Sequence, residues 1–537
     1  MELACKISDM VNAENKYILA IDLGTSGPKV ALVSGTGEVV ASEFEPNRLI
    51  LLPGGGAEQD PDEWFDSIMT AAKRLLAART ELRAKVTAVC CTTQWSGTVA
   101  VDEHGRHLMN AVIWMDSRGA PYAKELARGF PSLEGYGLFK VLRWVRLTGG
   151  APTRSGKDSL SHILFIKRER PEVYLKTHKF LEPKDYINLR LSGLFAASYD
   201  SIALHWLTDN RKIDEIAYSD KLLAMAGLDR HRFPDLHRAV DVLGPLKPEI
   251  ASELGLPDDV KVVMGTPDVQ SAAIGSGAVA DYAGHLYIGT SSWITCHVPY
   301  KKTDLIHNMA SLPSAVPGRY FVANSQEVAG GALSYLLDNI IYPDDDLACG
   351  PRPENAYQIV DRLAASAPAG CDKLLFTPWL YGERTPFEDS SLRACFVNMS
   401  LKTTRAQMVR AVLEGVAFNT RWLLLYVEKF IGKKFEQLEL IGGGARSDTW
   451  CQIFADVMNR PMRRVAEPVM ANVRGAGLLG AVALGLIAFE DIPRLTRIDR
   501  VFEPDQSGHA IYEELFTAFM SVYKRNRKLF AGLNRKG

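Results

Sequence analysis

Two apolar runs in this chain each end in a turn made of glycine and hydroxyl residues. Residues 17–21 lead into 22–27 (DLGTSG), and residues 286–288 lead into 289–292 (GTSS). Short apolar runs bounded by turn residues predict buried strands. Glycine permits positive φ and close backbone approach, and hydroxyl and amide groups can donate to phosphate oxygens. The repeat predicts two similar halves that face each other across a cleft, each with a phosphate-binding turn.

The segment after the first turn predicts more strand rather than helix. Residues 30–33 are apolar, 34–37 (SGTG) form a turn signal, and 38–41 (EVVA) resume the strand pattern, which predicts an antiparallel meander. A Rossmann domain places a helix directly after its first glycine turn. The pattern therefore argues against a dinucleotide-binding domain.

Later segments predict helices and further strands that run into loops. Asp60, Pro61 and Glu63 form a helix start, and the apolar face that follows is Trp64, Ile68, Ala72 and Leu75. Residues 406–427 have helical spacing, and strand 438–441 runs into the glycine loop 442–445. Strand 261–264 leads to Asp268 and a helix of small residues over 271–279. Residues 121–256 show weaker periodicity.

Length and composition indicate a two-domain protein of the cytoplasm. The 537 residues exceed what one hydrophobic core supports. A net charge of −1 gives no attraction to polyanions, so nucleic acid is not expected as a partner. The eight cysteines include no CxxC pair, which fits a reducing compartment. Residues 475–489 are too short for a membrane span and predict a buried helix, and residues 1–16 predict an N-terminal extension without a signal peptide.

Seven segments taken together resemble the FGGY family of carbohydrate kinases, and within it the xylulokinases. These segments are 21–30 (IDLGTSGPKV), 58–64 (EQDPDEW), 113–118 (IWMDSR), 265–277 around Asp268, 382–386 (GERTP), 410–415 (RAVLEG) and 441–447 (IGGGARS). The resemblance implies an α/β fold with two actin-like (ribonuclease H-like) ATPase domains facing each other across a cleft. Residues 17–279 would form the sugar side with the catalytic base, and residues 280–537 the nucleotide side. ATP and Mg²⁺ are the implied cofactors.

Asp268 is the residue to which the resemblance assigns the role of catalytic base. In phosphoryl transfer the attacking hydroxyl must be aligned and must lose its proton, a task suited to a positioned carboxylate. The alternative is a helix N-cap, because an aspartate between Pro267 and an alanine-rich helix has good capping chemistry. Asp268 is also a candidate ligand of the metal.

The phosphate and metal candidates come from both glycine turns. Asp22 ends a buried strand, and in the resembling kinases its equivalent helps to hold Mg²⁺ through water; a turn-forming Asx motif is the alternative. Phosphate contacts are implied for Thr25, Ser26 and Lys29 in one half and Thr290 in the other. Lys29 could instead be a solvated strand residue.

Three glycines are implied to border the nucleoside. Gly443 and Gly444 could form a shelf, because glycine permits the close backbone approach that a flat base requires. Gly331 would line the same pocket by resemblance. For each of them the alternative is a glycine needed for tight helix packing.

The sugar side departs from the xylulokinases. Gln94, Trp95 and Ser96 occupy the place of a Met-His pair in many of them, and Val269 stands where they often have Asn. Sites that bind hydroxyls discriminate largely through side-chain hydrogen bonds. Trp95 could stack on a sugar or fill the core. Trp114, Asp116 and Arg118 form a second candidate patch, with a surface ion pair as the alternative.

The expected activity is ATP-dependent transfer of the γ-phosphoryl group to a primary hydroxyl of a small ketose or polyol. Xylulose leads, and ribulose, glycerol and erythritol remain open. A sugar-responsive binding protein without turnover is the rival from another class. The expected partner is a small sugar or polyol, with no membrane association, and the resemblance is compatible with a homodimer.

Overall fold

The computed structural model describes residues 13–133, 135–346 and 350–534, and two mixed β-sheets lie at its centre. The strands of the first sheet, in spatial order, are Val242–Pro245, Lys261–Val263, Val86–Thr93, Tyr17–Gly24, Gly27–Ser34 and Val39–Phe44. The strands of the second, in spatial order, are Ser292–Thr295, His285–Ile288, Leu438–Ile441, Met462–Val465 and Ile498–Phe502. Each half of the chain thus builds one sheet.

The two sheets share a central arrangement. In each, one strand pairs antiparallel with the strand after its glycine turn and parallel with a later strand, and these central strands are Tyr17–Gly24 and His285–Ile288. The predicted meander and the predicted repeat of strand, turn and strand are confirmed. The halves differ at the next strand, because Val39–Phe44 extends the first sheet whereas Ser292–Thr295 is the edge of the second.

Smaller sheets surround these two. A four-stranded antiparallel sheet contains His297–Val298, Tyr320–Ala323, Met309–Pro313 and Thr303–Asp304, and a three-stranded sheet contains Ile50–Leu52, Gly56–Gln59 and Ala111–Val112. Among the described residues the two-stranded pairs are Ser132–Leu133 with Tyr136–Gly137, Val99–Val101 with Lys179–Leu181, Ala196–Ser198 with Asp235–His237, Thr208–Asp209 with Ala217–Tyr218, and Leu375–Thr377 with Cys395–Val397.

The helix start predicted at Asp60 is confirmed. The Asp60 carboxylate accepts a hydrogen bond from the Asp62 amide at 2.9 Å, helix Pro61–Ala78 follows, and the predicted apolar face is buried. The other α-helices of the first half are Ala120–Ala127, Leu138–Thr148, Ser159–Glu169, Pro171–Lys176, Pro183–Ser192, Asp220–Ala226, Pro248–Leu254 and Asp268–Gly275.

The helix predicted over 406–427 is Arg405–Ile431 in the structure, and Thr404 begins it with a capping box to Gln407. The other α-helices of the second half are Gly330–Leu336, Ala356–Ala365, Asp448–Met458, Ala471–Ala483, Ile492–Leu495 and His509–Asn534. The helix predicted over 475–489 therefore begins earlier and ends before Gly485, whose φ is +69°. No helix of the described residues has the length and apolar character needed to cross a bilayer.

Two helices cross between the sheets, and each packs on the sheet of the other half. Helix Asp268–Gly275 packs on the second sheet, and helix Ala471–Ala483 packs on the first. A Cβ atom on Gly475 would lie 1.9 Å from the Ser271 carbonyl oxygen, so the two backbones are in direct contact. This crossing ties the two halves together and fixes the first turns of both helices.

The N-terminal extension predicted over 1–16 lies largely outside the described residues. Ala13 is buried and its carbonyl oxygen accepts from the Gly35 amide at 3.1 Å, so the residues just before the first strand pack onto the first sheet. The division of the chain at 279/280 stays a prediction.

Candidate active site

The predicted site residues gather at the carboxyl edges of parallel strands. In the first sheet three neighbouring parallel strands run toward Thr25, Gln94 and the loop before Asp268. In the second sheet three parallel strands run toward Thr290 and Gly443 and the segment before Asn472. Ligands of α/β sheets bind at such edges. The fold therefore brings together residues that are far apart in sequence.

Asp22 and Asp268 form an electrostatically coupled pair at the carboxyl edge of the first sheet. Burial and, to a smaller extent, the negative charge of Asp22 together raise the pKa of Asp268 to about 7. Burial also raises the pKa of Asp22, while the Lys29 ammonium and a hydrogen bond from Asn472 oppose that rise. Two partly buried carboxylates that repel each other are a suitable environment for a cation or for proton transfer.

The capping alternative for Asp268 is wrong. Pro267 holds the N-cap position of helix Asp268–Gly275, and no side chain caps the helix. Asp268 is the first helical residue, and its Oδ1 accepts from the adjacent Val269 amide at 2.8 Å. That contact leaves most of the acceptor capacity of the carboxylate available to a ligand.

Lys29 lies directly across the strand pair from Asp22. The two residues are register partners, and the Lys29 ammonium donates to the Val469 carbonyl oxygen at 3.1 Å. Lys29 is half-buried, so the alternative of a solvated strand residue is wrong. Its positive charge faces the acidic pair, and Ser26 is exposed at the tip of the turn.

Thr25 connects the first glycine turn to the sugar-side candidates. Its hydroxyl donates to Gln94 Oε1 and accepts from Trp114 Nε1, each at 3.0 Å. Gln59 Nε2 donates to the Thr25 carbonyl oxygen at 2.8 Å, and Gln94 Nε2 donates to Gln59 Oε1 at 2.7 Å. The Thr25 hydroxyl is thus engaged within the protein, and the phosphate contact predicted for it stays a prediction.

Trp95 and Ser96 follow Gln94 in the chain, and these three predicted sugar-site residues are called the sugar wall below. The Trp95 indole donates to the Ser201 carbonyl oxygen at 2.8 Å and is half-buried, which leaves part of the ring accessible. Ser96 has a φ of +65°, and its hydroxyl donates to the Lys157 carbonyl oxygen at 2.9 Å. This turn therefore sets Lys157 beside the predicted sugar wall.

Asp116 and Arg118 form a buried ion pair, so the alternative of a surface pair is wrong. The Asp116 side chain is 1% exposed, and Arg118 Nη2 lies 2.7 Å from its Oδ2 and 2.6 Å from Glu58 Oε1. The Ala57 amide also donates to Asp116 at 2.8 Å. Their predicted sugar contacts stay predictions, and their charged groups are already engaged with one another.

The two shelf glycines differ in what surrounds them. A Cβ atom on Gly443 would meet no atom within 4 Å, whereas one on Gly444 would lie 2.3 Å from Ile288 Cγ2. Gly444 therefore fits the packing alternative, and Gly443 borders open space. The Gly331 amide donates to the Thr290 carbonyl oxygen at 3.1 Å, which joins these two nucleotide-side candidates.

Tyr287 is a residue of the site that the sequence analysis did not identify. Burial raises the pKa of Tyr287, and the negative charges of Asp268 and Asp22 raise it as well. Tyr287 therefore lies near this acidic pair. Its ring stacks on Trp293 with centroids 3.9 Å apart. The sequence signal that could have identified it is its position, since Tyr287 lies only two residues before the second glycine turn.

Lys157 is a further residue that the sequence analysis missed. Its ammonium lies 5.4 Å from the ring centroid of Tyr381 in the other half. Burial lowers its pKa, an effect that Glu327 opposes and Arg384 reinforces. No carboxylate among the described residues lies within 4.0 Å of this ammonium, so Lys157 presents a cation without a close ion-pair partner between the two halves.

Family models match most of the chain. Residues 17–275 match the N-terminal domain of the FGGY family of carbohydrate kinases, and residues 285–484 match its C-terminal domain. The first range includes all six strands of the first sheet, the second includes four of the five strands of the second sheet, and each contains one of the two glycine turns. The motif resemblance found in the sequence and the two-domain α/β fold are confirmed.

Individual relatives match over nearly their whole length. The xylulose kinase of Staphylococcus epidermidis is 28% identical over 529 residues, which cover 96% of this chain and 98% of the relative. Crystal structures of a xylulose kinase and of a gluconate kinase from Lactobacillus acidophilus each have a TM-score of 0.84 at 24% identity, covering 97% of this chain and 100% of theirs. These structures establish the fold.

Proposed function

The chain belongs to the FGGY family of carbohydrate kinases, and from that premise we propose the residues, the metal and the sugar of its reaction. It is an ATP-dependent sugar kinase, a phosphotransferase with an alcohol group as acceptor. The observation that supports the rest is the coupled pair of Asp22 and Asp268, which meet at the carboxyl edge of the first sheet.

Asp268 is proposed as the general base. A base works best when its pKa lies near the working pH, and burial raises the pKa of Asp268 to about 7. The carboxylate accepts the proton of a primary sugar hydroxyl while that oxygen attacks the γ-phosphorus and the bond to the β-phosphate oxygen breaks. ADP and the sugar phosphate leave without a covalent enzyme intermediate.

Asp22 and Asp268 are also proposed to hold Mg²⁺, with Asp22 acting through water. The mutual repulsion of the two carboxylates and their raised pKa values fit a hydrated divalent cation, which would relieve that repulsion. When bound, magnesium supplies positive charge to the phosphate oxygens. The ammonium of Lys29 and the turns at Ser26 and Thr290 supply the remaining positive and donor groups from this chain.

Gly443 is proposed as the nucleoside shelf, and this role predicts different effects of valine at two adjacent glycines. A valine side chain at 443 would occupy the open space in which the nucleotide is proposed to bind. The steric cost of about 1–3 kcal/mol should therefore weaken ATP binding, and G443V is expected to raise the KM for ATP about tenfold. At 444 the same steric cost should lower the free energy of unfolding instead, because the Ile288 side chain already fills that space. ATP titrations and denaturant unfolding of G443V and G444V measure the two effects. Equal loss of stability in both variants would contradict the shelf.

Xylulose is the proposed substrate, giving xylulose 5-phosphate, because the relatives of highest coverage are named xylulose kinases. The test is ADP release by the purified enzyme with xylulose, ribulose, glycerol, erythritol and gluconate, with D268A alongside. Xylulose is expected to give the highest kcat/KM, and D268A to abolish turnover of every substrate. Sugar binding without ADP release would support the rival, a sugar-responsive binding protein.

An acid sugar is a second candidate substrate, and Lys157 is the observation that favours it. A partly buried ammonium without a close carboxylate is costly unless a ligand supplies the counter-charge. K157M is expected to raise the KM for gluconate at least about tenfold, the equivalent of one charge-assisted hydrogen bond, and to leave the KM for xylulose within threefold. No turnover of gluconate by the wild-type enzyme would eliminate this candidate.

The proposed setting is the cytoplasm, where ATP and reduced cysteines coexist. The six cysteines of the described residues are unpaired, and five of them are buried. We also propose that the enzyme is a homodimer. In each chain a sugar-side domain of residues 17–279 would face a nucleotide-side domain of residues 280–537. Size-exclusion chromatography with light scattering measures the oligomeric state.

A further inference from the structure

A buried polar network lies beneath the loop that carries Asp268. Helix Pro183–Ser192 places Lys184 and Asn188 one turn apart on one face, and both donate to the Met264 carbonyl oxygen, at 3.1 Å and 2.7 Å. Lys184 is 1% exposed, and its ammonium pairs with the equally buried Asp185 carboxylate. Buried charges are tolerated when they are paired, so the network is a built feature of the fold.

The next two residues of the loop are held as well. Gly265 has a φ of +72°, and a Cβ atom there would lie 2.0 Å from the Cys91 carbonyl oxygen, so only glycine fits. The Thr266 hydroxyl donates to the buried carboxylate of Asp200. Three consecutive residues are thus fixed immediately before Pro267 and Asp268.

The same network also reaches Trp95, one of the predicted sugar-site residues. Asp185 Oδ2 accepts from the Ser201 hydroxyl at 2.8 Å, and the Ser201 carbonyl oxygen accepts from the Trp95 indole at 2.8 Å. One set of buried hydrogen bonds therefore connects the segment before Asp268 with the wall formed by Gln94 and Trp95. A shift of helix Pro183–Ser192 would move both.

We propose that Thr266 and Asn188 are positioning residues, which hold the 264–267 segment so that the Asp268 carboxylate points at the sugar hydroxyl. This inference rests on the proposed role of Asp268. Neither residue touches substrate in this proposal; both act on kcat through the backbone. Misplacing a reacting group by about 1 Å can cost about a hundredfold in rate.

Thr266→Val tests the proposal, because valine keeps the shape of threonine and removes only the hydroxyl. T266V is expected to lower kcat at least tenfold with the KM values for sugar and ATP within twofold, and T266S is expected to restore kcat to within threefold of wild type. Thr208→Val is the matched control, since Thr208 is equally buried and its hydroxyl has no hydrogen-bond partner among the described residues. Wild-type kcat in T266V, or equal loss in T266S, would overturn the proposal.

A second variant covers the case in which T266V fails to fold. Asn188→Leu removes the donor to Met264, and the side-chain oxygen of Asn188 has no partner among the described residues, so little else is lost. N188L is expected to show the same split between kcat and KM. Amide hydrogen exchange over 264–270 is expected to accelerate in T266V and N188L and not in T208V; unchanged exchange overturns the inference. Because exchange needs no turnover, failure of Asp268 as the base would appear separately, as activity retained in D268A.

Discussion

Replacing Asp268 by asparagine is expected to lower kcat by about 10²- to 10⁴-fold, the usual contribution of a general base. Asparagine keeps the shape of the side chain but cannot accept the proton of the sugar hydroxyl. It also removes the charge that Asp22 repels, so the thermal midpoint of D268N should equal or exceed that of wild type. Loss of activity without loss of stability is the result that separates catalysis from folding.

The control for this variant is Asp220→Asn. Asp220 is likewise the first residue of a short helix, Asp220–Ala226, and it is exposed to solvent. D220N should keep wild-type kcat, which excludes a general effect of altering a helix start. A D268N enzyme with more than a tenth of wild-type kcat would contradict the assignment of the base.

The pH dependence of kcat/KM should report the same carboxylate. A base acts only when deprotonated, so kcat/KM should rise with pH and become level above the pKa of Asp268, which burial raises to about 7. A magnesium ion beside the pair would favour the charged form and lower that midpoint. The acid limb is therefore expected at or below about pH 7, and it should be absent from the residual activity of D268N.

The sequence predicts those parts of the site that follow from local rules. The strand that leads to Asp22 and the helix start at Asp60 each depend on a few neighbouring residues. Both are found, although the strand continues to Gly24. The meeting of Asp22 and Asp268 follows from topology, because parallel strands of one sheet end at one edge. In the sequence, only the family resemblance placed both residues at the metal, because the strand order that brings them together depends on pairing between distant segments.

The buried charges could not be predicted in the same way. Helix Pro183–Ser192 is buried on nearly all sides, so it lacks the apolar stripe that reveals the inward face of a surface helix. Lys184 and Asp185 belong to residue types that are almost never buried unless paired. They pair with each other, and their other partners, the Met264 carbonyl oxygen and the Ser201 hydroxyl, come from distant segments. The same holds for Asp116 and Arg118, whose burial depends on Glu58 and the Ala57 amide.

Replacing Gly475 by alanine is expected to separate the two halves at their crossing helices. Alanine normally stabilises a helix interior by about 0.5–1 kcal/mol relative to glycine. At 475, however, the new Cβ would lie 1.9 Å from the Ser271 carbonyl oxygen, a backbone atom that cannot rotate away. The clash should dominate, with a net loss of about 1–3 kcal/mol in the free energy of unfolding.

The same clash should reach the chemistry, because each helix begins at the acidic pair. Asp268 is the first residue of one helix, and Asn472, which hydrogen-bonds Asp22, is the second residue of the other. Pushing the helices apart by about 1 Å should cost G475A about a hundredfold in kcat. Denaturant unfolding and steady-state kinetics at a temperature where the variant is folded measure the two effects.

Gly532→Ala is the matched control for this variant. Gly532 lies in helix His509–Asn534, and a Cβ atom there would meet no atom within 4 Å. G532A should therefore gain about 0.5–1 kcal/mol and keep wild-type kcat. Opposite signs for the same substitution in two helices would identify the crossing as a contact that aligns the acidic pair, whereas a stable and active G475A would show that the halves can move apart there without disturbing Asp22 and Asp268.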